Sequence, residues 1–112
     1  MPGYFVLLVD INDHDRYAEY ARAVPPTYAR YGGRMAIRGP VVEVIEGALE
    51  VREDTRLVVL EFASVDQARA WWTSQDYQRV RELREPPVAD ARGFLVGGTG
   101  PSGEAAGGAR PA

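Results

Sequence analysis

Tyr4-Phe5-Val6-Leu7-Leu8-Val9 is the stretch that decides the fold. Six apolar residues rich in β-branched and aromatic side chains, closed by Asp10-Ile11-Asn12-Asp13, predict a short β-strand. Both alternating sets of side chains are apolar, so we expect a central strand that is buried on both faces. The segment 56–62, RLVVLEF, repeats this pattern and is the clearest strand in the chain. Together the two segments predict a sheet that is apolar on both sides.

The residues that follow the first strand predict a helix. Within residues 14–23, charged side chains recur at helical spacing on one face and tyrosines on the other, with Asn12 or Asp13 placed to act as N-cap. The pair Pro25-Pro26 must break or restart this helix, because proline lacks the N–H group and restricts the residue before it. We expect a second short helix at 27–30, which ends at the following glycine pair.

Two further helices are predicted after residues 56–62. Ser64-Val65-Asp66-Gln67 matches the capping box, with serine as N-cap and glutamine three residues later. The helix that follows carries both tryptophans. A second start signal at Ser74 opens a helix over residues 76–85, and Pro86-Pro87 stops it.

The remaining segments complete the order of elements. Residues 34–38 and 41–46 are predicted to be extended, separated by a bulge or bend at Gly39-Pro40. Residues 47–54 are polar and turn-like, and residues 93–97 form a final strand. The order βαββαβ predicts an α+β fold of the ferredoxin-like type, a four-stranded antiparallel sheet with helices on one face. Because the helices cover only one of two apolar faces, we expect a homodimer that packs the sheets face to face.

Composition excludes several classes of function. The chain has 112 residues, a formal charge of −3 and no cysteine, so there is no disulfide, no Cys-ligated zinc and no thiol nucleophile. His14 is the one histidine, which disfavours a His-based metal site, and the absence of lysine excludes a Schiff base. Without a basic stripe we expect no nucleic-acid partner. Arginine without lysine is typical of a GC-rich genome, which would suit a specialised biosynthetic pathway.

The sequence also predicts where the chain resides and how it is organised. No signal peptide precedes the first strand, and the longest apolar run is far too short to cross a bilayer, so we predict a cytoplasmic protein with no membrane partner. Residues 1–98 are expected to form a single domain, and residues 99–112 a disordered tail rich in Gly, Ala and Pro. No phosphate-binding glycine loop or calcium-site spacing is present, so we expect no cofactor.

The chain resembles the DUF1330 family over about residues 3–98. The resemblance rests on these segments, in order: Tyr17-Ala18-Glu19-Tyr20, Val24-Pro25-Pro26-Thr27, Tyr31-Gly32-Gly33-Arg34, Arg38-Gly39, Val42-Glu43-Val44, Glu46-Gly47, Glu61-Phe62, Ala68-Arg69-Ala70-Trp71, Ser74, Tyr77 and Arg84. It implies a dimeric α/β-barrel, whose superfamily includes cofactor-free antibiotic monooxygenases, muconolactone isomerases, small polyketide cyclases and haem-binding proteins. The chain departs from the family pattern at Gly39-Pro40 and at 84–87, which would reshape the mouth of a pocket.

Four residues are candidates for catalysis. Arg38, which the resemblance includes, could bind a carboxylate or stabilise an oxyanion, or else form a surface salt bridge. Glu61 lies in the most apolar strand and is a candidate general base, or it could pair with an arginine across the sheet. Tyr17 could donate its hydroxyl hydrogen to a carbonyl or enolate oxygen. His14 is a possible proton shuttle, although helix N-termini are commonly exposed.

A second set of side chains is expected to bind substrate between the sheet and the helices. Tyrosines at helical spacing usually pack in a core, and of two adjacent tryptophans one packs while the other lines a cavity or the dimer seam. On the last helix, Arg81 could instead pair with Glu85 at the helix surface. The candidates are Tyr20, Tyr28, Tyr31, Trp71, Trp72, Ser74, Tyr77 and Arg84.

Two functions of different classes follow. The first is a small cofactor-independent enzyme that acts by acid–base and oxyanion chemistry on an apolar or aromatic oxygenated metabolite, as an isomerase, cyclase or monooxygenase. The second is a non-catalytic homodimer that binds a small molecule or has a structural role. A closed apolar pocket with an unpaired polar group favours the enzyme, and a solidly packed interface favours the second. Haem binding ranks third, because His14 is the only imidazole.

Overall fold

The sheet is built around the first strand, as residues 4–9 predict. The computed structural model describes residues 1–98 of the 112, so the predicted tail at 99–112 lies outside the described residues. The elements are β1 (Gly3–Ile11), α1 (His14–Ala23), α2 (Pro25–Ala29), β2 (Arg34–Pro40), β3 (Thr55–Phe62), α3 (Val65–Thr73), α4 (Gln75–Arg81), a 3₁₀ turn (Glu82–Arg84) and β4 (Ala89–Gly97).

The four strands lie in the order β2-β3-β1-β4, and every neighbouring pair is antiparallel. The predicted ferredoxin-like α+β fold is therefore confirmed. β1 is central: Phe5 pairs with Leu60 of β3 on one side and with Leu95 of β4 on the other. Paired residues of an antiparallel sheet project to the same face, so these three side chains share one side of the sheet.

Side-chain caps begin three of the helices. The Asp13 carboxylate accepts from the backbone N–H of Arg16 at 3.1 Å, which settles the choice between Asn12 and Asp13. Ser64 accepts from the N–H of Gln67 at 3.1 Å, as the capping box predicts. The Ser74 hydroxyl likewise caps α4 by accepting from the next turn. The helix starts could therefore be predicted from local sequence, because an N-cap side chain contacts only the first turn of its own helix.

The predicted strand at 41–46 is wrong, and so is the bend at Gly39-Pro40. β2 continues through Pro40, and residues 41–46 form no strand. Pro40 is opposite Arg56, so one further residue would reach Thr55, where β3 begins, and no partner strand remains. Val42 is accordingly 92% exposed. The irregularity in β2 instead lies between Met35 and Ile37.

Smaller differences concern the ends of elements. The last predicted helix, 76–85, is α4 followed by a 3₁₀ turn, and the final strand begins at Ala89 rather than at residue 93. The second short helix begins at Pro25, because proline is well suited to the first turn of a helix.

The two faces of the sheet differ in what covers them. The helices pack on the face that carries Phe5, Leu7 and Val9, here called the inner face, and these side chains belong to the hydrophobic core. The opposite, outer face carries Val6 and Leu8 of the same strand, which remain partly exposed. Among residues 1–98, no helix is both long and apolar enough to span a bilayer.

Candidate functional site

A cavity of about 280 Å³ lies between the inner face of the sheet and α1. We call it the α1 cavity. Its walls are mostly apolar, and they come from β1, β2 and β3 below and from α1 and α2 above; they include Leu7, Ile11, Val24, Met35, Val58 and Leu60. Of the predicted site residues, the structure brings five together here: His14, Tyr17, Tyr20, Tyr28 and Arg38.

Arg38 reaches this cavity because of the irregularity in β2. Met35 pairs with Leu60, but Ile37 pairs with the next β3 residue, Val59, so Ala36 is an extra residue on β2. An inserted residue reverses the alternation of side chains beyond it. Arg38 is thereby opposite the inward-facing Val58 and lines the cavity, whereas a regular strand would have directed it to the outer face.

Half-buried Tyr17 and exposed Arg38 line the cavity with polar groups that have no hydrogen-bond partner within residues 1–98. Within the described part of the chain, the Tyr17 hydroxyl and the Arg38 guanidinium make no hydrogen bond, and Arg38 makes no salt bridge. Tyr17 is half-buried on α1, and burial raises the pKa of its hydroxyl, while the guanidinium groups of Arg84 and Arg38 act in the opposite direction. A neutral hydroxyl donor and a cation therefore line the same apolar cavity.

His14 and Asp54 form a pair at the edge of the α1 cavity. The Nε2 atom of His14, the first residue of α1, lies 2.7 Å from Oδ1 of Asp54. This hydrogen bond holds the pKa of the Asp54 carboxyl below its ordinary value of 3.8. A carboxylate only accepts hydrogen bonds, so Nε2 carries the hydrogen and Nδ1 is left as the basic nitrogen. The backbone N–H of Ile11 donates to the Asp54 carbonyl at 3.1 Å and fixes the loop beside β1.

Behind Tyr20, a buried polar chain leads away from the α1 cavity. The hydroxyls of Tyr20 and Tyr77 lie 3.1 Å apart, and Arg84 Nη2 donates to the Tyr77 hydroxyl at 3.0 Å. Burial raises the pKa of Tyr20 well above its ordinary value. Tyr77 is fully buried and Arg84 nearly so, and neither lines the α1 cavity. Tyr20, Tyr77 and Arg84 therefore form one buried hydrogen-bonded chain beside the cavity.

The tryptophans divide as the adjacent positions predict. Trp71 is fully buried, and its indole N–H donates to Thr27 Oγ1 at 3.0 Å. Trp72 is half-buried and lines a second opening, which lies on the inner face next to β4. Ser74 caps α4, and Tyr31 packs against the core from the loop after α2, so neither side chain lines the α1 cavity.

Glu61 lies on the outer face, away from the cavity. Its neighbours Leu60 and Phe62 are buried beneath the helices, and the alternation of β3 sends the side chain between them to the other side. There Glu61 forms an ion pair with Arg34 and accepts from the Tyr4 hydroxyl at 3.1 Å. The structure thus favours the alternative of a cross-strand arginine pair over a general base in the cavity.

Two residues at the α1 cavity are absent from the sequence-based candidates. Asp54 immediately precedes β3, and the pairing of Asp10 with Thr55 brings it beside the end of β1, where α1 begins. That register was the signal that could have identified it. Arg56 lines the same cavity, and its guanidinium donates to the Glu53 carbonyl at 2.6 Å. Within residues 1–98, no three His, Cys, Asp or Glu side chains are grouped to hold a metal ion.

Solved structures share this fold. A protein of unknown function from Rhodopseudomonas palustris, RPA0582, is 20% identical with a TM-score of 0.69, over 87% of this chain and 82% of that one. SnoaB from Streptomyces nogalater, described as a cofactor-independent oxygenase, is 11% identical with a TM-score of 0.61, over 87% and 92%. A dimeric ferredoxin-like protein of unknown function from Thermobifida fusca is 17% identical with a TM-score of 0.56, over 87% and 91%. At these identities the likeness concerns the fold alone.

The search of curated proteins finds no match. The model of one family does match, over residues 2–99, and its description is "Domain of unknown function (DUF1330)". This range includes every strand and helix of the fold and all the side chains of the α1 cavity. The match agrees with the resemblance carried by the sequence segments above, and the chain therefore belongs to the DUF1330 family.

Proposed function

We propose that the chain is a small cofactor-independent enzyme that binds an apolar or aromatic ketone in the α1 cavity and removes a proton from the carbon next to its carbonyl. One observation carries this proposal. The mostly apolar cavity of about 280 Å³ is lined by the Tyr17 hydroxyl and the Arg38 guanidinium, and neither group has a hydrogen-bond partner within residues 1–98. Apolar walls with a few convergent polar groups are typical of small-molecule sites.

The chemistry follows from which groups give and which receive protons. Nδ1 of His14 removes a proton from the carbon next to the carbonyl, and the electron pair of that C–H bond moves to the carbonyl oxygen. The Tyr17 hydroxyl and the Arg38 guanidinium donate to the resulting enolate oxygen. Asp54 accepts from Nε2–H of His14 and thereby holds the imidazole in one tautomer and orientation. Return of the proton to another carbon completes an isomerisation; a ring closure or an attack on dioxygen would begin from the same enolate.

The fold is compatible with this chemistry. The structural relative from Streptomyces nogalater is described as a cofactor-independent oxygenase, so a protein of the same architecture works without a cofactor. For this chain the proposal rests on the α1 cavity itself and not on that likeness.

Hydrogen–deuterium exchange tests the proposal directly. Cyclic aryl ketones (1-indanone and α-tetralone) are incubated with the protein in D₂O, and deuterium at the carbon next to the carbonyl is measured by NMR. We expect exchange faster than in buffer. His14→Gln should slow it by about 100-fold or more, and Arg38→Gln or Tyr17→Phe by about 100-fold. Arg22→Gln, which alters an exposed α1 arginine outside the cavity, is the matched control.

The second candidate function is a non-catalytic small-molecule-binding protein. It is favoured by the exposure of His14, whose side chain is 55% accessible, since a base in water is a weaker catalyst than one in a closed site. The same experiment separates the two. Binding of the ketones is detected by changes in the chemical shifts of cavity residues. If they bind but exchange deuterium no faster than in buffer, the chain is a binding protein.

We further propose a homodimer formed through the outer face. Ile37 and Phe94 are 52% and 55% exposed there, beside the partly exposed side chains of β1. Ion pairs of Arg34 with Glu61 and of Arg92 with Asp10 flank the patch and would form a polar rim. The Thermobifida fusca relative is described as dimeric. Sedimentation equilibrium should give twice the chain mass of 12.3 kDa, and a single-chain mass at micromolar concentration would contradict the dimer.

A further inference from the structure

A second opening on the inner face lies between β4 and the helices α3 and α4. It has a volume of about 300 Å³, and we call it the β4 cleft. Phe5 and Leu7 line both this cleft and the α1 cavity, so their side chains separate the two. Gly93 contributes to the cleft because it has no side chain: a Cβ there would lie 3.2 Å from the Phe5 ring.

Arg84 lines the β4 cleft, and no carboxylate within residues 1–98 neutralises its charge. The residue is only 6% exposed. Its Nη2 donates to the Tyr77 hydroxyl at 3.0 Å, and its guanidinium lies 5.4 Å from the centre of the Tyr20 ring. Its Nε–H is buried and has no hydrogen-bond partner among residues 1–98. No carboxylate in the described part of the chain forms a salt bridge with it.

The neighbouring Arg81 shows how a compensated arginine is arranged in the same place. It pairs with Glu85 at 3.5 Å, lies 5.7 Å from the centre of the Trp72 ring, and is more exposed. Arg84 has the aromatic contact without the carboxylate. Burial opposes its charge, yet the Tyr77 and Tyr20 hydroxyls favour it, and the pKa of Arg84 lies above its ordinary value.

A buried cation without a counter-ion is costly, and so is a buried N–H donor without an acceptor. A carboxylate that enters the cleft and pairs with the guanidinium supplies the missing negative charge, and a turn of the guanidinium toward it would present Nε–H as a donor. Most of the remaining lining is apolar and includes Phe5, Leu7, Trp72 and Leu95, which suit an apolar body rather than a hydrated anion. An acid with an aromatic or aliphatic body satisfies both halves of the cleft.

We propose that the β4 cleft is a second ligand site, which binds a small aromatic or aliphatic carboxylate with its carboxylate group on Arg84 and its apolar body against Phe5 and Trp72. The site uses a different opening and a different arginine from the α1 cavity, so it does not rest on the proposed function. It also gives a physical reason for a buried arginine that no carboxylate of the described chain neutralises.

Titration with three probes of matched size or charge tests this site. Benzoate supplies the carboxylate and the ring, benzamide the ring without the charge, and inorganic phosphate the charge without the ring. Binding is followed by isothermal calorimetry and by the arginine Nε–H resonances of ¹⁵N-labelled protein. We expect benzoate to bind at least about tenfold more tightly than either other probe, and to shift one solvent-protected Nε–H resonance.

Two arginine variants on the same helical segment assign the effect. Arg84→Met keeps an unbranched apolar stem and removes the buried charge, so the variant should fold and lose at least about tenfold in benzoate affinity. Arg79→Met, which removes an exposed arginine outside the cleft, should bind benzoate as the wild type does.

Three results would overturn the site: equal affinity for benzoate and benzamide, undiminished benzoate binding by Arg84→Met, or phosphate bound as tightly as benzoate. If Arg84→Met does not fold, the wild-type spectra decide alone, because saturating benzoate that moves no protected arginine Nε–H resonance excludes contact with Arg84. Exchange of the aryl ketones in the α1 cavity is measured separately, so either site can fail without the other.

Discussion

On the inner face of β1, Phe5, Leu7 and Val9 are at most 4% exposed, whereas Val6 and Leu8 on the outer face of the same strand remain partly exposed. The side chains are of the same type, and they alternate along one strand. The difference lies in what covers them: the helices pack on one side, and no element of residues 1–98 packs on the other. The apolar side chains of β1 therefore favour burial of both faces of the sheet. Only the tertiary structure shows that the helices of residues 1–98 bury one of them.

The largest effect is expected when a charge is placed in the outer face, where we propose that two copies of the chain meet. Val6→Asp introduces a carboxylate between Val59 and Phe94, its neighbours on β3 and β4. We expect the dimer dissociation constant to rise by about 100-fold or more, since a buried unpaired charge costs several kcal/mol. Sedimentation velocity measures it. Val42→Asp, at an exposed loop position, is the control, and an unchanged dimer in Val6→Asp would remove the outer face as the interface.

The next largest effect compares two adjacent leucines of β1, one on each face of the sheet. Leu7→Ala on the inner face should lower the free energy of unfolding by about 2–5 kcal/mol, toward the lower end because Leu7 already borders two openings. Leu8→Ala should cost about 1 kcal/mol at low protein concentration and more as the concentration rises. Urea unfolding at two concentrations measures both. Equal and concentration-independent losses would show that the two faces are equivalent.

A smaller effect concerns the buried hydroxyls above the inner face. The folded pKa of Tyr20 is raised well above 10.0, so the folded chain keeps its proton where the unfolded chain loses it. The resulting stability is present below pH 10 and is lost as the pH rises beyond it. Tyr20→Phe should weaken this alkaline loss and remove about 1 kcal/mol at neutral pH with the Tyr77 hydrogen bond. Urea unfolding between pH 8 and about pH 11 checks both, and an unchanged alkaline slope would contradict the assignment.

The smallest expected effect lies at the edge of the inner face. The folded pKa of Asp54 is lowered by the His14 hydrogen bond, so this pair stabilises the fold above the ordinary pKa of 3.8 and ceases to do so as the pH falls through the lower, folded value. Asp54→Asn and His14→Gln should each reduce the fall in melting temperature between about pH 5 and pH 2.5. Calorimetry at several pH values measures this. A full wild-type acid dependence in both variants would exclude the pair as its source.

The elements that could be predicted from the sequence are those governed by local rules. Asp13, Ser64 and Ser74 cap their helices because a cap needs only the first helical turn. The strand predicted at 41–46 failed because an extended segment also needs a neighbour, and β3 begins at Thr55, opposite the end of β2. Local composition carries no information on where the partner strand begins.

The candidate site was predicted in part for the same reason. His14, Tyr17 and Arg38 do line one cavity, but Arg38 reaches it through the extra residue in β2, which the sequence indicated at the wrong position. Glu61 was assigned by the apolar character of its strand, and the side to which it points depends on register. Asp54 lies in a polar loop and becomes relevant only through its contact with His14, forty residues away along the chain.

By itself the sequence determined the order of the elements, the ferredoxin-like arrangement and the apolar character of both faces of β1, because strand and helix periodicity and capping depend on neighbours along the chain. It also limited the chemistry to tyrosine, arginine, carboxylates and one histidine. Only the tertiary structure decided which face the helices cover, which side chains meet in the α1 cavity, and that Arg84 is buried without a carboxylate. Those outcomes depend on register and on contacts between distant segments, which periodicity does not encode.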